Sequence, residues 1–468
     1  MAYKTTIGLE VHAELKTTTK MFCRCKNDPD EVRPNWNVCP VCTAQPGALP
    51  VINKKAVEHV LRVGTAIGST LADFTEWDRK NYFYPDMPKG YQISQYKYPL
   101  VSAGTLAGVD ITRIHLEEDT GSSRHDKGDY SLVDYNRAGV PLMELVTEAV
   151  IHDAETAMRF AKELQLLLRY IGVSDANMEK GEMRVEVNIS ISETETFGTK
   201  VEVKNINSFK AVGDAIAYEM KRHAEVLGRG EKIVQETRGW DENTGKTFSQ
   251  RKKENANDYR YFPDPDLPKM KISEIPEFQN LQSTMPELPW ERRARLAGEF
   301  GFPDAIIEIF VTDMVIGGFF TDVATKLSSD KELIKLASNY ITSDLTALMK
   351  GGTTGMGMVT VDTFIALIRM VGAGDLSSRG AKDTLAIMYR EGGNPEEIAE
   401  TNGLIQKSDM GALELIVKEI IASNSNVVAE YKSGKVALLQ FFIGQGMKAS
   451  KGSANPQVLG EIFKKLLA

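Results

Sequence analysis

The 468-residue sequence contains no run of about 18 apolar residues, so no stretch of it reads as a membrane-spanning helix. Its opening segment, MAYKTTIGLEVHAEL, lacks the uninterrupted apolar core of a signal peptide, and a cytoplasmic address is expected. Cysteine is scarce: four residues, all between 23 and 42, which a reducing compartment would keep from closing as disulfides. Basic charge is in deficit, with a net charge of −8, and that argues against indiscriminate nucleic-acid binding. Proline almost vanishes after Pro303, where only Pro395 and Pro456 remain, and every His and Trp lies at or before position 290. No long internal repeat and no low-complexity tract is present.

These absences divide the chain. Upstream of about residue 290, short runs of alternating polarity are interrupted by Pro and Gly, the pattern of strands and turns. Downstream, apolar residues recur at helical spacing, and Leu413, Ile416, Val417 and Ile420 form a buried helix stripe. The glycine-rich stretch 351–357 marks a further break. Charge is also uneven. Residues 431–468 hold six lysines and one acid, Glu461, so this tail is +5 and the remainder −13.

Three groups of residues could carry chemistry. Cys23 and Cys25 are followed by Cys39-Pro-Val-Cys42, a knuckle suited to tetrahedral metal; four thiolates make a closed structural zinc site. Several strands pair an apolar face with a functional one. In 7–13, Ile7, Leu9, Val11 and Ala13 alternate with Gly8, Glu10 and His12. In 182–190, Glu182, Arg184, Glu186, Asn188 and Ser190 share one face, and Lys200, Glu202 and Lys204 behave likewise. With the HLEED segment at 115–119, such carboxylates crowd together. Two of them about 4 Å apart repel by about 4 kcal/mol, so a cluster requires a cation, and carboxylates with one imidazole suit Mg²⁺ or Mn²⁺. The third group is RKNYFYPDMPKGYQISQ at 79–95, where Arg79, Lys80 and Lys89 suit a phosphate-bearing ligand and Tyr82, Phe83, Tyr84 and Tyr91 suit a loop wall or a base. Two look-alikes fail. Gly245-Lys246-Thr247 lacks the leading glycine of a phosphate loop because position 240 is Trp, and Gly121-Ser122-Ser123 lacks the glycine flanks of an amidase signature.

The motifs IGLEVHAEL, CPVC with PGALPVIN, DRKNYFYPDMPKGYQIS, HLEEDTG, SLVDYNRAGVPLMELVTE, KVEVKNINSF, QETRGWDENTGKT, DYRYFPDPDLP and GSANP run in order along the chain. In these the sequence resembles the B subunits of the tRNA-dependent aspartyl/glutamyl amidotransferases, the GatB family, over essentially its whole length. The resemblance implies a subunit of an ATP-dependent carbon–nitrogen ligase. In such enzymes ATP phosphorylates the side-chain carboxylate of Glu-tRNA(Gln) or Asp-tRNA(Asn), and ammonia then attacks the acyl phosphate. An amidase partner, the A chain of the heterotrimer, supplies the ammonia, and a small C chain ties the two together. The implied fold is α+β, an antiparallel-sheet cradle over 1–292 akin to glutamine synthetase and guanido kinases, with a helical domain at 293–400 and a helical tail at 401–468.

By motif, the resemblance assigns Glu10, His12, Glu118 and Glu144 to Mg²⁺ and catalysis, although strand phase puts Glu118 with Ile114 and Leu116 and leaves Glu117 as a rival. It offers Arg79, Lys80, Tyr82, Lys204 and Arg238 for ATP phosphates or the acyl phosphate. Glu186 and Asn188 stand where relatives often carry Asp and Asn. Lys432, Lys435, Lys448 and Lys451 are expected to contact tRNA. Two other classes fit some features. A free-standing carboxylate–amine ligase would not need the basic tail, and a noncatalytic zinc-bearing RNA-binding protein would leave the carboxylate faces idle.

Overall fold

The computed structural model describes residues 3–124, 128–252, 259–328, 330–351, 355–406, 410–450 and 454–467. Two compact units divide the chain, Met1–Pro289 and Trp290–Ala468. Among the described residues no helix is long and apolar enough to cross a membrane.

The first unit is built on one ten-stranded sheet. Its strands run in the order Lys246–Lys252, Glu236–Asp241, Val201–Lys204, Met183–Ser192, Lys4–Glu14, Pro141–Thr147, Val109–Glu118, Val101–Ser102 and Thr70–Leu71, with Thr105–Leu106 paired to Val109–Glu118. All pairings are antiparallel except one. Val201–Lys204 runs parallel to Glu236–Asp241, so the expected antiparallel sheet is in fact mixed. A parallel pair needs a crossover, and helix Phe209–Gly228 supplies it.

Alternation decides which face is core. Ile7, Leu9, Val11 and Ala13 are buried to within 1 % of full burial, as are Met183, Val185, Val187 and Ile189 on the neighbouring strand. Helices Ala154–Tyr170 and Phe209–Gly228 pack on each other, and the latter covers the Met183–Ser192 strand. Asp153 and Ser208 cap their N-termini. Gly213 permits a close approach of the two helices, since a Cβ there would fall 2.7 Å from the Met158 sulfur.

Among the described residues the second unit is built of helices, with an isolated bridge between Leu376 and Ile405. Within it, helix Met410–Ser423 buries Leu413 and Val417 against Phe442, Leu459, Ile462 and Phe463, with Ile416 and Ile420 packed alongside. The tail therefore has an apolar core of its own. Of the expected break at 351–357, residues 352–354 lie outside the described set.

On the helix-covered side of the sheet a polar network holds the crossover in place. The fully buried Glu219 carboxylate accepts from Arg222 at 2.7 Å and Thr247 at 2.5 Å, and Arg238 approaches it at 3.3 Å. Arg238 also pairs with Glu236 and donates to the Thr247 carbonyl at 2.9 Å. Burial pushes the Glu219 carboxyl up, but bonds from His223, Arg222 and Thr247 outweigh it and hold the pKa at about 2. A depressed pKa means stability that is complete above the ordinary value of 4.5 and lost as pH falls towards about 2. Replacing Glu219 with Ala should destabilise the protein by about 3–5 kcal/mol in urea unfolding at pH 7, because Arg222 loses its counter-charge and Arg238 and the buried Thr247 lose a partner. The deficit of Glu219→Gln against wild type should shrink between pH 4.5 and 2.

Candidate active site

Opposite the helices, the sheet presents a face lined with charge. Register places His12 beside Glu144 on one side and Arg184 on the other, Glu144 beside His115, and Glu10 beside Glu186. The His12 Nε2 atom lies 3.4 Å from Glu144, 3.7 Å from Glu10 and 3.8 Å from Glu117. His115 reaches Glu144 at 3.4 Å and Glu117 at 3.9 Å. Glu10, His12 and Glu144 offer donor atoms within 4.8 Å of one another, as do His115, Glu117 and Glu144.

Glu117, not Glu118, belongs to this cluster. Strand Val109–Glu118 alternates, so His115 and Glu117 share the open face while Glu118 falls on the side of Ile114 and Leu116. One Glu118 oxygen accepts from Lys89 at 2.7 Å and the other from the Ile93 N–H at 2.9 Å. Glu118, which the resemblance assigned to the same cation as Glu10, His12 and Glu144, is thus engaged by Lys89 and the Ile93 N–H. His115 escaped the sequence reading as a site residue, although its phase matched Glu117.

The phosphate candidates separate in the same way. On strand Asp78–Asn81, Arg79 turns to Asp264 at 2.8 Å and Asp266 at 3.1 Å and lies over the Tyr91 ring. Its neighbour Lys80 turns to Glu117 at 4.0 Å and lies over Tyr259. Burial opposes the Lys80 charge, yet Glu117 raises its pKa. Tyr82 packs against Tyr259 in the phase of Lys80. Lys204 sits on the acidic face, 2.7 Å from Glu186 and 3.5 Å from Glu202. Asn188 follows on the same face with a buried Oδ1 that has no hydrogen-bond partner. Arg238 points to the opposite side of the sheet, into the Glu219 network. Arg79 and Arg238 are thus committed to protein carboxylates, whereas Lys80, Tyr82 and Lys204 border the cluster.

Acid predominates here, and proton affinities shift with it. Burial together with Glu144 and Glu186 pushes Glu10 up to about 7. Burial favours neutral imidazole, but the surrounding carboxylates, Glu144 foremost, raise both His12 and His115 to about 9. Glu144 is held well below its usual range against burial, mainly by His115. Without a cation, protonated imidazoles compensate the carboxylates. Oxygen donors with imidazole fit a hard divalent ion, which would displace those protons. A further buried cluster adjoins: Asp119 accepts from Arg184 at 3.0 Å and faces Arg137 at 3.5 Å.

The four cysteines are reduced and their sulfurs fall within 4.8 Å of one another. Cys42 lies 3.8 Å from Cys39 and 4.0 Å from Cys25. Zinc–sulfur bonds of about 2.3 Å in a tetrahedron need sulfurs about 3.8 Å apart, so the donor set fits zinc. Beside it a cavity of about 220 Å³ is lined by Cys23, Cys42, Lys89, Tyr91 and Glu118.

The family-model comparisons match both units. The GatB/GatE catalytic domain covers residues 5–276 and the GatB domain residues 319–467. Over the whole of both chains the sequence is 43 % identical to the B subunit of the aspartyl/glutamyl-tRNA(Asn/Gln) amidotransferase of Persephonella marina. The corresponding B subunit of Thermoanaerobacter pseudethanolicus is also 43 % identical over the whole of both chains. The chain belongs to the GatB family. The Picosynechococcus relative is 40 % identical over 99 % of this chain and 98 % of its own. Within this GatB-family chain, the tail lysines are dispersed. Lys432 and Lys435 are exposed, the latter 2.8 Å from Glu430, while Lys448 lines a groove of about 1,210 Å³ with Arg379 and Asn455. Lys451 lies outside the described residues.

Titration with Mn²⁺, followed by the loss of its free-ion resonance signal, distinguishes the two glutamates. Glu117→Gln should weaken binding roughly tenfold or more, and Glu118→Gln should leave it near wild type.

Proposed function

We propose that this chain is the kinase and transamidase subunit of a heterotrimeric, glutamine-hydrolysing aspartyl/glutamyl-tRNA amidotransferase, acting in the cytoplasm with an amidase partner and a small third chain. The observation that carries the reading is the convergence of Glu10, His12, His115, Glu117 and Glu144 with Lys80 and Lys204 on one face of the sheet. Family membership points the same way. In this reading the sheet is the cradle of a glutamine synthetase/guanido kinase-like domain.

The substrate is the side-chain carboxylate of Glu or Asp esterified to tRNA(Gln) or tRNA(Asn). That carboxylate takes the γ-phosphoryl group of ATP, giving an acyl phosphate and ADP. Ammonia from the amidase then bonds to the carbonyl carbon, phosphate leaves with the C–O electron pair, and the nitrogen sheds one proton to give the amide. Mg²⁺ held by Glu10, His12, Glu117 and Glu144, with His115 in reach, would neutralise phosphate charge and align the two oxygens. Lys80 and Lys204 would hold the phosphoryl oxygens, and Tyr82 would wall the site. The acidic face gives the departing proton a destination. Zinc at Cys23, Cys25, Cys39 and Cys42 would be structural, with no open position. The tail would grip the tRNA backbone through Lys432, Lys435, Lys448 and Lys451.

The test is ATP-dependent amide formation on mischarged tRNA by the reconstituted heterotrimer. Glu117→Gln and Lys80→Met should each lower it by roughly 100-fold or more while glutamine hydrolysis by the amidase persists. Wild-type amide formation by both variants would remove this face from the reaction. Metal analysis of protein purified without chelators should find about one zinc per chain, and Cys42→Ser should lower both that content and the unfolding midpoint.

A further inference from the structure

Lys20 is among the largest fully buried side chains of the protein, with 0 % exposure. Lysine is almost never buried without a partner, because an ammonium ion removed from water costs several kcal/mol unless an anion balances it. Its Nζ donates to the Asn37 carbonyl at 2.7 Å and the Tyr135 carbonyl at 3.1 Å. Carbonyls satisfy two N–H groups but leave the charge in place. Among the described residues no carboxylate comes within ion-pairing distance of Lys20. Glu118, which also reaches the neighbourhood of Gly139, is engaged by Lys89 and the Ile93 N–H instead.

The other occupants of this place are the cysteines. Lys20 is three residues before Cys23, and its own N–H donates to the Cys25 carbonyl at 3.0 Å. Gly139, at φ +85°, marks the junction: a Cβ there would lie 3.7 Å from Lys20 Cδ and 3.8 Å from Cys42 Cβ. As thiols, the four cysteines offer Lys20 no negative charge. As thiolates around one divalent zinc they carry a net charge of −2.

We propose that Lys20 is the counter-ion of the metal–tetrathiolate cluster. It balances half of the cluster's charge and, through Asn37 and Tyr135, clamps the knuckle segment to the loop that precedes strand Pro141–Thr147. The inference rests on the zinc reading given above and adds a positioning residue that neither metal-ligand spacing nor the family motifs assign. It also accounts for the burial of an ammonium that no carboxylate among the described residues balances.

The test uses the full chain in zinc-loaded and zinc-stripped form, with zinc affinity measured by competition against a coloured chelator and stability by urea unfolding. Lys20→Met keeps the length without the charge, Lys20→Gln keeps a donor without the charge, and Lys20→Arg keeps the charge. Affinity should follow charge: Lys20→Met and Lys20→Gln weaken zinc binding roughly 10–100-fold, while Lys20→Arg stays closer to wild type. The stripped Lys20→Met protein should be at least as stable as stripped wild type, since the unpaired ammonium is gone. Three outcomes overturn the proposal: zinc affinity unchanged in Lys20→Met, affinity that follows hydrogen-bond donors with Lys20→Gln near wild type, or equal destabilisation of the loaded and stripped forms. If Lys20→Met does not fold, the order of Lys20→Gln and Lys20→Arg still decides. Wild-type protein that binds no zinc overturns the metal reading itself, and with it this one; full wild-type occupancy separates the two.

Discussion

Mutual repulsion among carboxylates on one face of the central strands is the constraint to which the rest of the first unit answers. Glu10, Glu117, Glu144, Glu186 and Glu202 share that face, and compensation comes from Lys80, Lys204, Arg113 and the protonated His12 and His115. Burial and such crowding raise Glu10 to about 7, and the carboxylates raise both imidazoles to about 9 against burial. A soluble structural sheet would relieve it with apolar or neutral residues. Here the strain persists because the opposite face, with Ile7, Leu9, Val11 and Ala13 sealed under helices, supplies the burial that keeps the strands in register.

The same charge problem is solved differently in each layer. Behind the sheet, Glu219 is matched by Arg222 and Arg238 in a closed network that has no capacity for a ligand. At the end of strand Val109–Glu118, Asp119 is matched by Arg184 and Arg137. Beneath the cysteine knuckle, Lys20 is matched by no carboxylate among the described residues. Closed networks of this kind hold structure together.

Arg79 and Lys80 show how narrowly the site is drawn. They are adjacent in sequence and chemically alike, yet a period of two sends Arg79 to Asp264 and Asp266 and Lys80 to Glu117. Arg79 then anchors the segment carrying Tyr259 and Tyr261, whose rings pack on each other with Tyr259 beneath Lys80. The arginine serves the wall, and the lysine turns to the acidic face.

Much of this was legible in the linear chain. Alternation in 7–13 and 182–190 marked both the core face and the acidic face, the helical period marked the second unit, and the cysteine spacing marked four thiols that come together. Strand phase kept Glu117 open as a rival to Glu118, because side chains alternate whatever the fold. What phase alone left undecided was partnership. Whether Arg238 faces the cluster or Glu219 depends on a crossover helix packing beneath the sheet, and the parallel pairing of Val201–Lys204 with Glu236–Asp241 has no local signal. His115 becomes part of the cluster only when strands far apart in the chain bring Glu144 opposite it and beside His12. Periodicity is set by the backbone and can be read along the chain; ion pairing is set by distance in space, and only the packed tertiary structure determines which charges meet.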